Sequence, residues 1–380
     1  MATVRMPTPP HHPGQVPSRV RDLGVIPGTL ATGTLNAITD VPGVRVGQTT
    51  IDDGNELHTG VTAIVPAGFA TGLPTAVAVG NGYGKLVGST QIDELGVVET
   101  PILLTGTLSV FRVADALLTW LLDRDPTATS LNPVVGETND GFLSDIRRRP
   151  ISPQHVFDAL ESASSDLPAE GCVGAGTGTT ALGFKAGIGT SSRQAAGGVV
   201  GVLVQANFSG TLTVLGTPIP ARDVLGVPTG NSCMIVVATD LPLDARQLGR
   251  IARRAVFAMG RVGSDFAPGS GDYAIAFSTA PSVAAGAPAS AAAPASGAAP
   301  ASAAAPASAA APANGAAPAS GGVPERELFS LFQAVMEATE EALLNSLTMA
   351  HTVTGFRGNT RHALPHDVLL SRLRTAGVLT

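Results

Sequence analysis

Three short apolar runs, rich in Val, Ala and Ile, constrain the fold of this chain more than any other feature. They are Gly197–Asn207 (GGVVGVLVQAN), Cys233–Thr239 (CMIVVAT) and Tyr273–Ser278 (YAIAFS). Their residues are apolar at consecutive positions, which predicts strands that are buried on both faces. A sheet made of such strands needs a covering layer on each side.

The predicted helices can supply those layers. Asp244 and Gln247 have the spacing of a capping box in front of an amphipathic segment. Other helices are predicted from Ser152, over Leu108–Leu122 and over Glu325–Met349. Strands and helices mix without strict alternation. We therefore expect an α/β fold in which two sheets lie between two helical layers, with a doubly wound parallel sheet as the alternative.

Two segments are set apart by composition. Pro281–Pro324 carries no charge and repeats Ala-Pro-Ala-Ser units. Proline at such intervals removes amide donors and blocks helix propagation, so we expect a disordered Ala/Pro-rich insert. The Pro-rich N-terminus has no apolar core of a signal peptide, and residues 1–25 are expected to form a flexible leader.

Net charge, hydropathy and cysteine content indicate which partners and which cellular compartment to expect. The net charge of −6 argues against a nucleic acid partner. No stretch offers about 18 consecutive strongly apolar residues, so no membrane span is expected. The two cysteines, Cys172 and Cys233, lack metal-ligand spacing and suit a reducing compartment. We expect a cytoplasmic protein without a metal or another cofactor.

Two polar clusters precede buried strands. Gly-Asn-Ser, ending at Ser232, places a hydroxyl at the start of the Cys233–Thr239 strand. Ser270 and Asp272 are two residues apart at the start of the next apolar run, and an extended chain places them on the same side. A carboxylate beside a hydroxyl can polarise a nucleophile on a neighbouring strand. Each cluster alone is also ordinary turn chemistry.

Further polar residues are weaker candidates. Asn207 ends its strand and can serve as a turn cap or as a hydrogen-bond donor to an oxyanion. Lys185 lies in a Gly/Thr-rich stretch and is either a buried cation of the site or an exposed loop residue. Asn139 and Asp140 can bind a substrate amine or cap a turn. The glycines of Gly174–Gly178 lack the Gly-Lys-Ser/Thr of a P-loop, so we expect no nucleotide site.

The order of several long blocks carries a family resemblance. NSCMIVVATD, DARQLGRIARRA and GSGDYAIAFST follow the upstream blocks GNGYGKLVGSTQIDELGVVETPILLTGT, NPVVGETNDGFLSDI, GAGTGTTALGFKAGIGTSSR and GVLVQANFSG. Together they resemble the aminopeptidase/esterase family named for DmpA, which includes the β-peptidyl aminopeptidases. The resemblance covers residues 26–279 and resumes over 325–358. It implies the four-layer αββα sandwich of that family.

The resemblance also implies a precursor that cleaves itself between Asn231 and Ser232. Residues 26–231 would form the N-terminal chain and residues 232–380 the C-terminal chain of one hydrolase domain. Ser232 would then be an N-terminal nucleophile, whose free α-amine, with a pKa near 8, can act as the base.

Other site residues follow from the same resemblance. Ser270 and Asp272 would orient Ser232 and its proton transfers, and Asn207 would be the oxyanion donor. Asp272 is shorter than the Glu that is frequent in relatives. Phe142 stands where some relatives have a tyrosine and cannot donate, which leaves a backbone amide as the alternative second donor.

The function implied is release of N-terminal α- or β-amino residues from short peptides, amides or esters through an acyl-enzyme on Ser232. The alternatives are an oligoamide hydrolase or acyltransferase with the same self-processing, and a non-catalytic binding protein. The resemblance also implies a homo-oligomer, namely a tetramer of processed units.

Overall fold

A computed structural model describes residues 15–221, 232–280 and 322–379 of the chain. The insert predicted over Pro281–Pro324 lies outside them except for its last three residues. Asn231 also lies outside. Of the predicted leader, residues 15–25 are described, and within it Val20 and Val25 are fully buried.

Six α-helices and sixteen strands, joined by short 3-10 turns and loops, form the described part of the chain. The helices are α1 (Ser89–Leu95), α2 (Val110–Leu122), α3 (Pro153–Glu161), α4 (Ala245–Met259), α5 (Leu328–Thr348) and α6 (His366–Thr375). The strands are β1 (Val44–Asp52), β2 (His58–Pro66), β3 (Leu73–Gly82), β4 (Val97–Val98), β5 (Ile102–Gly106), β6 (Val134–Thr138), β7 (Thr180–Ala181), β8 (Phe184–Lys185), β9 (Ile188–Ala195), β10 (Gly198–Asn207), β11 (Thr213–Val214), β12 (Thr217–Pro218), β13 (Ser232–Thr239), β14 (Gly271–Ser278), β15 (Val353–Thr354) and β16 (Thr360–Arg361).

Two large sheets organise these strands. The first has the order β1-β2-β5-β6, in which only β5 and β6 are parallel. The second has the order β4-β3-β14-β13-β10-β9, in which only β13 and β14 are parallel. Because both sheets are mixed, the doubly wound parallel alternative is wrong.

Three apolar clusters show how the layers stack. Side chains of α2 and α3 pack on the outer face of the first sheet. A second cluster fills the space between the two sheets and includes Ile64, Ile102, Met234 and Ile275. A third lies between the second sheet and helices α4 and α5. This arrangement is the predicted four-layer αββα sandwich, and it buries both faces of the three apolar runs.

The predicted starts of helices α3 and α4 are confirmed. The Asp244 carboxylate accepts a 2.7 Å hydrogen bond from the Gln247 backbone N–H at the start of α4. The reciprocal bond, from the Asp244 backbone N–H to the Gln247 side chain, is 3.4 Å long. Ser152 precedes Pro153 at the start of α3. Among the described residues, no helix is long and apolar enough to cross a membrane.

Candidate active site

Ser232 is the first residue of β13 and lies between the two sheets, with 3 % of its surface exposed. Asn207, the last residue of β10, lies directly opposite in the antiparallel register. Such facing residues share one face of the sheet. The Asn207 Nδ2 donates to Ser232 Oγ at 3.2 Å, and the Thr180 backbone N–H donates to Asn207 Oδ1 at 3.0 Å. The amide group of Asn207 is therefore oriented with its N–H toward the serine.

A second donor reaches the same oxygen from the other sheet. The backbone N–H of Asn139, just after β6, donates to Ser232 Oγ at 3.2 Å. Phe142 lies elsewhere, with its ring 4.2 Å from the Arg361 guanidinium carbon. The side chain of Asn359 donates to the Phe142 carbonyl. Two N–H groups thus converge on Ser232 Oγ, one from a side chain and one from the backbone.

Ser270, just before β14, and Asp272, on β14, form a buried pair next to the strand of Ser232. Ser270 Oγ donates to Asp272 Oδ1 at 2.7 Å, and Asn81 Nδ2 donates to Asp272 Oδ2 at 2.9 Å. Asp272 is fully buried. Burial raises the pKa of its carboxyl, while the hydrogen bonds from Asn81 and Ser270 oppose that rise.

The pair approaches Ser232 from the opposite face of the sheet. Asp272 is in register with Cys233, so both side chains face the α4–α5 layer, whereas the Ser232 side chain faces the first sheet. The backbone N–H of Cys233 also acts on the Asp272 carboxylate, lowering its pKa. Ser270 and Asp272 therefore lie near the backbone at the start of β13 and not beside Ser232 Oγ.

Lys185 is buried, and it is linked to Asn207 through Thr180. It faces Thr180 across the β7–β8 pair, and Thr180 is the residue whose N–H fixes the Asn207 amide. The Lys185 ammonium donates to the carbonyls of Gly176 and Ala186. Burial lowers the pKa of Lys185, and the Cys172 thiolate and Asp140 oppose that change.

Asn139 and Asp140 occupy different environments. The Asn139 side chain closes a turn, since its Oδ1 accepts a 2.9 Å hydrogen bond from the Gly141 N–H. Asp140 is 1 % exposed, and a Cβ at Gly106 would lie 2.7 Å from its Oδ2. Burial raises the pKa of Asp140 to about 6, against the opposing effect of the Thr59 hydroxyl.

Glu137 was not predicted from the sequence, although it lies two residues before Asn139. It is 3 % exposed on β6, and its Oε1 accepts hydrogen bonds from the Lys85 N–H at 3.2 Å and the Lys85 ammonium at 3.4 Å. Its Oε2 has no hydrogen-bond partner among the described residues. The sequence signal that could have identified Glu137 was a glutamate inside a short apolar segment. A buried carboxylate is costly unless it is paired or hydrogen-bonded.

Known proteins resemble this chain over nearly its whole length. The model of peptidase family S58 matches residues 36–361. The β-peptidyl aminopeptidase BapA of Sphingosinicella xenopeptidilytica is 38% identical over 92% of this chain and 90% of its own length.

Solved structures agree with that match. A β-aminopeptidase from a Burkholderia species has a TM-score of 0.82 at 38% identity, covering 95% of this chain and 99% of its own. The L-aminopeptidase D-Ala-esterase/amidase of Ochrobactrum anthropi, described as a variant of the Ntn hydrolase fold, has a TM-score of 0.80 at 32% identity, with coverages of 95% and 99%. These matches support a peptide hydrolase over the non-catalytic alternative. The chain therefore belongs to peptidase family S58.

Proposed function

We propose that this aminopeptidase is made as a precursor that cleaves itself between Asn231 and Ser232, and that Ser232 then carries the acyl group during turnover. The observation that supports this most directly is the convergence of two N–H donors on Ser232 Oγ, from Asn207 and Asn139. A serine between two such donors, at the start of a buried strand, has the environment that acyl transfer requires.

We propose that self-cleavage proceeds as an acyl shift from the nitrogen of Ser232 to its hydroxyl oxygen. Ser232 Oγ attacks the carbonyl carbon of Asn231, the Asn231–Ser232 C–N bond breaks, and the Oγ proton goes to the new α-amine, which leaves Asn231 joined to Oγ as an ester. Water then attacks this ester: its hydroxyl goes to the Asn231 carbonyl carbon, the Oγ–C bond breaks, and its proton returns to Oγ. The products are a chain ending at Asn231 and a chain beginning at Ser232.

Turnover uses the same donors. Ser232 Oγ attacks the first carbonyl of a peptide or amide, and the negative charge that develops on the carbonyl oxygen is stabilised by the Asn207 and Asn139 N–H groups. The leaving amine takes a proton and departs, and water hydrolyses the resulting ester. The product carboxylate leaves, and Oγ regains its proton.

We assign the base role to the α-amine of Ser232, with Ser270 and Asp272 as its supporting pair. An α-amine has an ordinary pKa near 8, so it can accept the Oγ proton near neutral pH. The pair lies on the face opposite Oγ and near the backbone of β13. From there it can hold and polarise the nitrogen of Ser232 but cannot reach Oγ directly.

Glu137 is the group that we propose binds the free amine of the substrate. It is buried, one carboxylate oxygen lacks a partner among the described residues, and it lies two residues before the Asn139 N–H donor. An ammonium ion satisfies such an oxygen. Replacing Glu137 by Gln should raise KM for substrates with a free amine roughly 10-fold or more, since a charge-assisted hydrogen bond is lost. An unchanged KM would exclude this role.

We further propose that substrates with an N-terminal β-amino residue are accepted, because the relatives at 36–38% identity include proteins named β-peptidyl aminopeptidases. The p-nitroanilides of β-Ala, L-Ala and D-Ala separate the possibilities. Turnover of β-Ala at a rate comparable with L-Ala supports the proposal. Turnover of L-Ala alone contradicts it.

Processing and turnover can be tested together. Denaturing electrophoresis of the wild-type protein should show two chains, whereas Ser232→Ala should stay as one chain and be inactive. Thr is a matched control because it keeps a hydroxyl, so Ser232→Thr should retain part of both activities. A single uncleaved chain with full activity would refute the processing step.

Assembly and location complete the proposal. We propose a homo-oligomer, specifically a tetramer of processed units, supported by the exposed aromatic side chains of Phe111, Phe257 and Phe329. Light scattering after size exclusion tests it, and a monomer at micromolar concentration would contradict it. A cytoplasmic location is supported by two cysteines, Cys172 and Cys233, that are both free.

A further inference from the structure

A β-bulge lies where β3 meets β14, next to the Ser270–Asp272 pair. Val79 is opposite Tyr273, but Asn81 and not Gly80 is opposite Asp272, so Gly80 is an extra residue in the strand. A bulge of this kind re-aims the side chains that follow it.

The bulge decides which face of the sheet Asn81 occupies. In a regular strand Asn81 would share the face of Val79, which is also the face of Val77 toward the first sheet. The extra residue turns Asn81 to the other face, where Asp272 and Ala274 lie toward α4 and α5. There its Nδ2 donates to Asp272 Oδ2 at 2.9 Å and to the Phe266 carbonyl at 3.2 Å.

Only glycine fits at the bulged position. A Cβ on Gly80 would lie 2.7 Å from Val256 Cγ1 on α4 and 3.3 Å from Asp272 Cβ. The same loop also reaches Ser270, because the Tyr83 N–H donates to the Ser270 carbonyl at 3.0 Å. The segment from Gly80 to Tyr83 thus holds both members of the pair.

We propose that Asn81 is a positioning residue for the Ser270–Asp272 pair, placed there by the bulge at Gly80. This inference rests on the proposed function. The Asn81 amide donates to Oδ2 of Asp272, so Oδ1 is the oxygen that accepts the hydrogen bond from Ser270 Oγ. Asp272 is a short acid, so its orientation depends on a partner that fixes the second oxygen.

The charge state of Asp272 provides a specific readout. The titratable groups near it are the Cys233 thiol from β13 and Asp265 from the turn before β14, together with Tyr273, the next residue of β14, whose side chain lies on the other face of the sheet. The residue of α4 that lies next to Gly80 is Val256, which is apolar. A donor to the carboxylate favours its ionised form. Removal of Asn81 should therefore raise the pKa of Asp272. On the acid side of the kcat profile this moves the lower step, at which Asp272 is protonated, to higher pH, whereas the upper step belongs to the α-amine of Ser232.

The first experiment measures kcat and KM against pH for wild type, Asn81→Ala and Asn81→Asp, with Asn132→Ala as the control. Asn132 is exposed, and its side chain donates to Gln91, so it takes no part in the hydrogen bonds of the pair. For Asn81→Ala we expect kcat to fall roughly 10–100-fold, with the lower acid step about one pH unit higher and KM little changed. Asn81→Asp should shift this lower step further, since two facing carboxylates share one proton.

The second experiment needs no turnover. In a Ser232→Ala background, unfolding is measured at pH 4 and pH 8 for Asn81→Ala, Asp272→Asn and the double variant. A carboxyl with a raised folded-state pKa loses its stabilising contribution as pH rises through that pKa. The loss in free energy of unfolding caused by Asn81→Ala should therefore be larger at pH 8 than at pH 4. In the presence of Asp272→Asn, the loss should be the same at both pH values.

The outcomes separate the two hypotheses. A lower acid step at the wild-type position in both Asn81 variants overturns the inference, even if kcat falls, because a merely structural loss does not move that step. A loss of stability from Asn81→Ala that is the same at pH 4 and pH 8, or whose change with pH is unaffected by Asp272→Asn, overturns it as well. An inactive wild-type enzyme refutes the proposed function, and the unfolding data then still decide whether Asn81 holds ionised Asp272.

Discussion

Two buried asparagines of this chain make the same kinds of hydrogen bond, but only one contacts Ser232. Asn207 is 1 % exposed, accepts from the Thr180 N–H at 3.0 Å and donates to Ser232 Oγ at 3.2 Å. Asn345 is fully buried on α5, accepts from the Val20 N–H at 2.9 Å and donates to the Thr190 carbonyl at 3.0 Å. Replacing each by Ala separates the effect on folding from the effect on catalysis.

The two changes should cost similar stability. Each removes one acceptor and one donor in a buried place, and the loss of such partners costs about 1–3 kcal/mol. Only Asn207→Ala removes a donor that the proposed mechanism assigns to the developing oxyanion. That loss should lower kcat by roughly 10²–10³-fold, or about 2.7–4 kcal/mol in the activation free energy.

The assay compares kcat for an amino-acid p-nitroanilide, with the processed fraction measured by denaturing electrophoresis so that kcat refers to cleaved enzyme. Urea unfolding of the same preparations gives the stability change. Equal losses of stability with a large kcat loss for Asn207→Ala alone are expected. If the two variants differ in kcat by less than about tenfold, or ~1.4 kcal/mol, the oxyanion role of Asn207 is refuted.

Two further predictions concern groups outside the site. Glu341 is fully buried and accepts hydrogen bonds from Arg21 at 2.8 Å and Arg193 at 2.6 Å, so Glu341→Gln should lower the free energy of unfolding by about 3–5 kcal/mol, as measured in urea. The exposed ion pairs of Glu325 make Glu325→Gln the matched control, with a much smaller change expected; similar losses for both would contradict the reasoning. Burial raises the pKa of the Cys172 thiol, but Lys185 and His351 outweigh burial and bring it to about 7. Its alkylation by iodoacetamide should therefore rise with pH around a midpoint near 7, whereas buried Cys233, whose pKa is raised, should react slowly throughout; mass spectrometry of labelled peptides distinguishes them.

Local patterns in the sequence were enough to locate the main elements. The apolar runs predicted β10, β13 and β14 to within two residues at each end, because strands buried on both faces have no polar positions to confuse the pattern. The capping box predicted the start of α4, since its bonds join residues three apart. The same runs required a covering layer on each face of their sheet, and the family blocks implied the αββα order.

The neighbours of Ser232 could be predicted only in part. Asn207 followed from the family blocks, whereas the Asn139 N–H comes from a residue 93 positions away in the other sheet. A backbone amide has no residue type that marks it, so sequence cannot select one. Glu137 and Asn81 were missed for a related reason: their roles depend on burial and on pairing with distant segments.

The sequence by itself determined that Ser232 begins a buried strand and that Ser270 and Asp272 begin another, because both facts depend on residues close together in the chain. Tertiary structure alone decided which face of the sheet each side chain occupies. The register of β13 against β10 brings Asn207 to Ser232 Oγ, and the parallel register with β14 turns Asp272 away from it. One extra residue at Gly80 then turns Asn81 toward Asp272. Side chains alternate along a strand, so a shift of one residue exchanges its faces, and only the paired strands fix that choice.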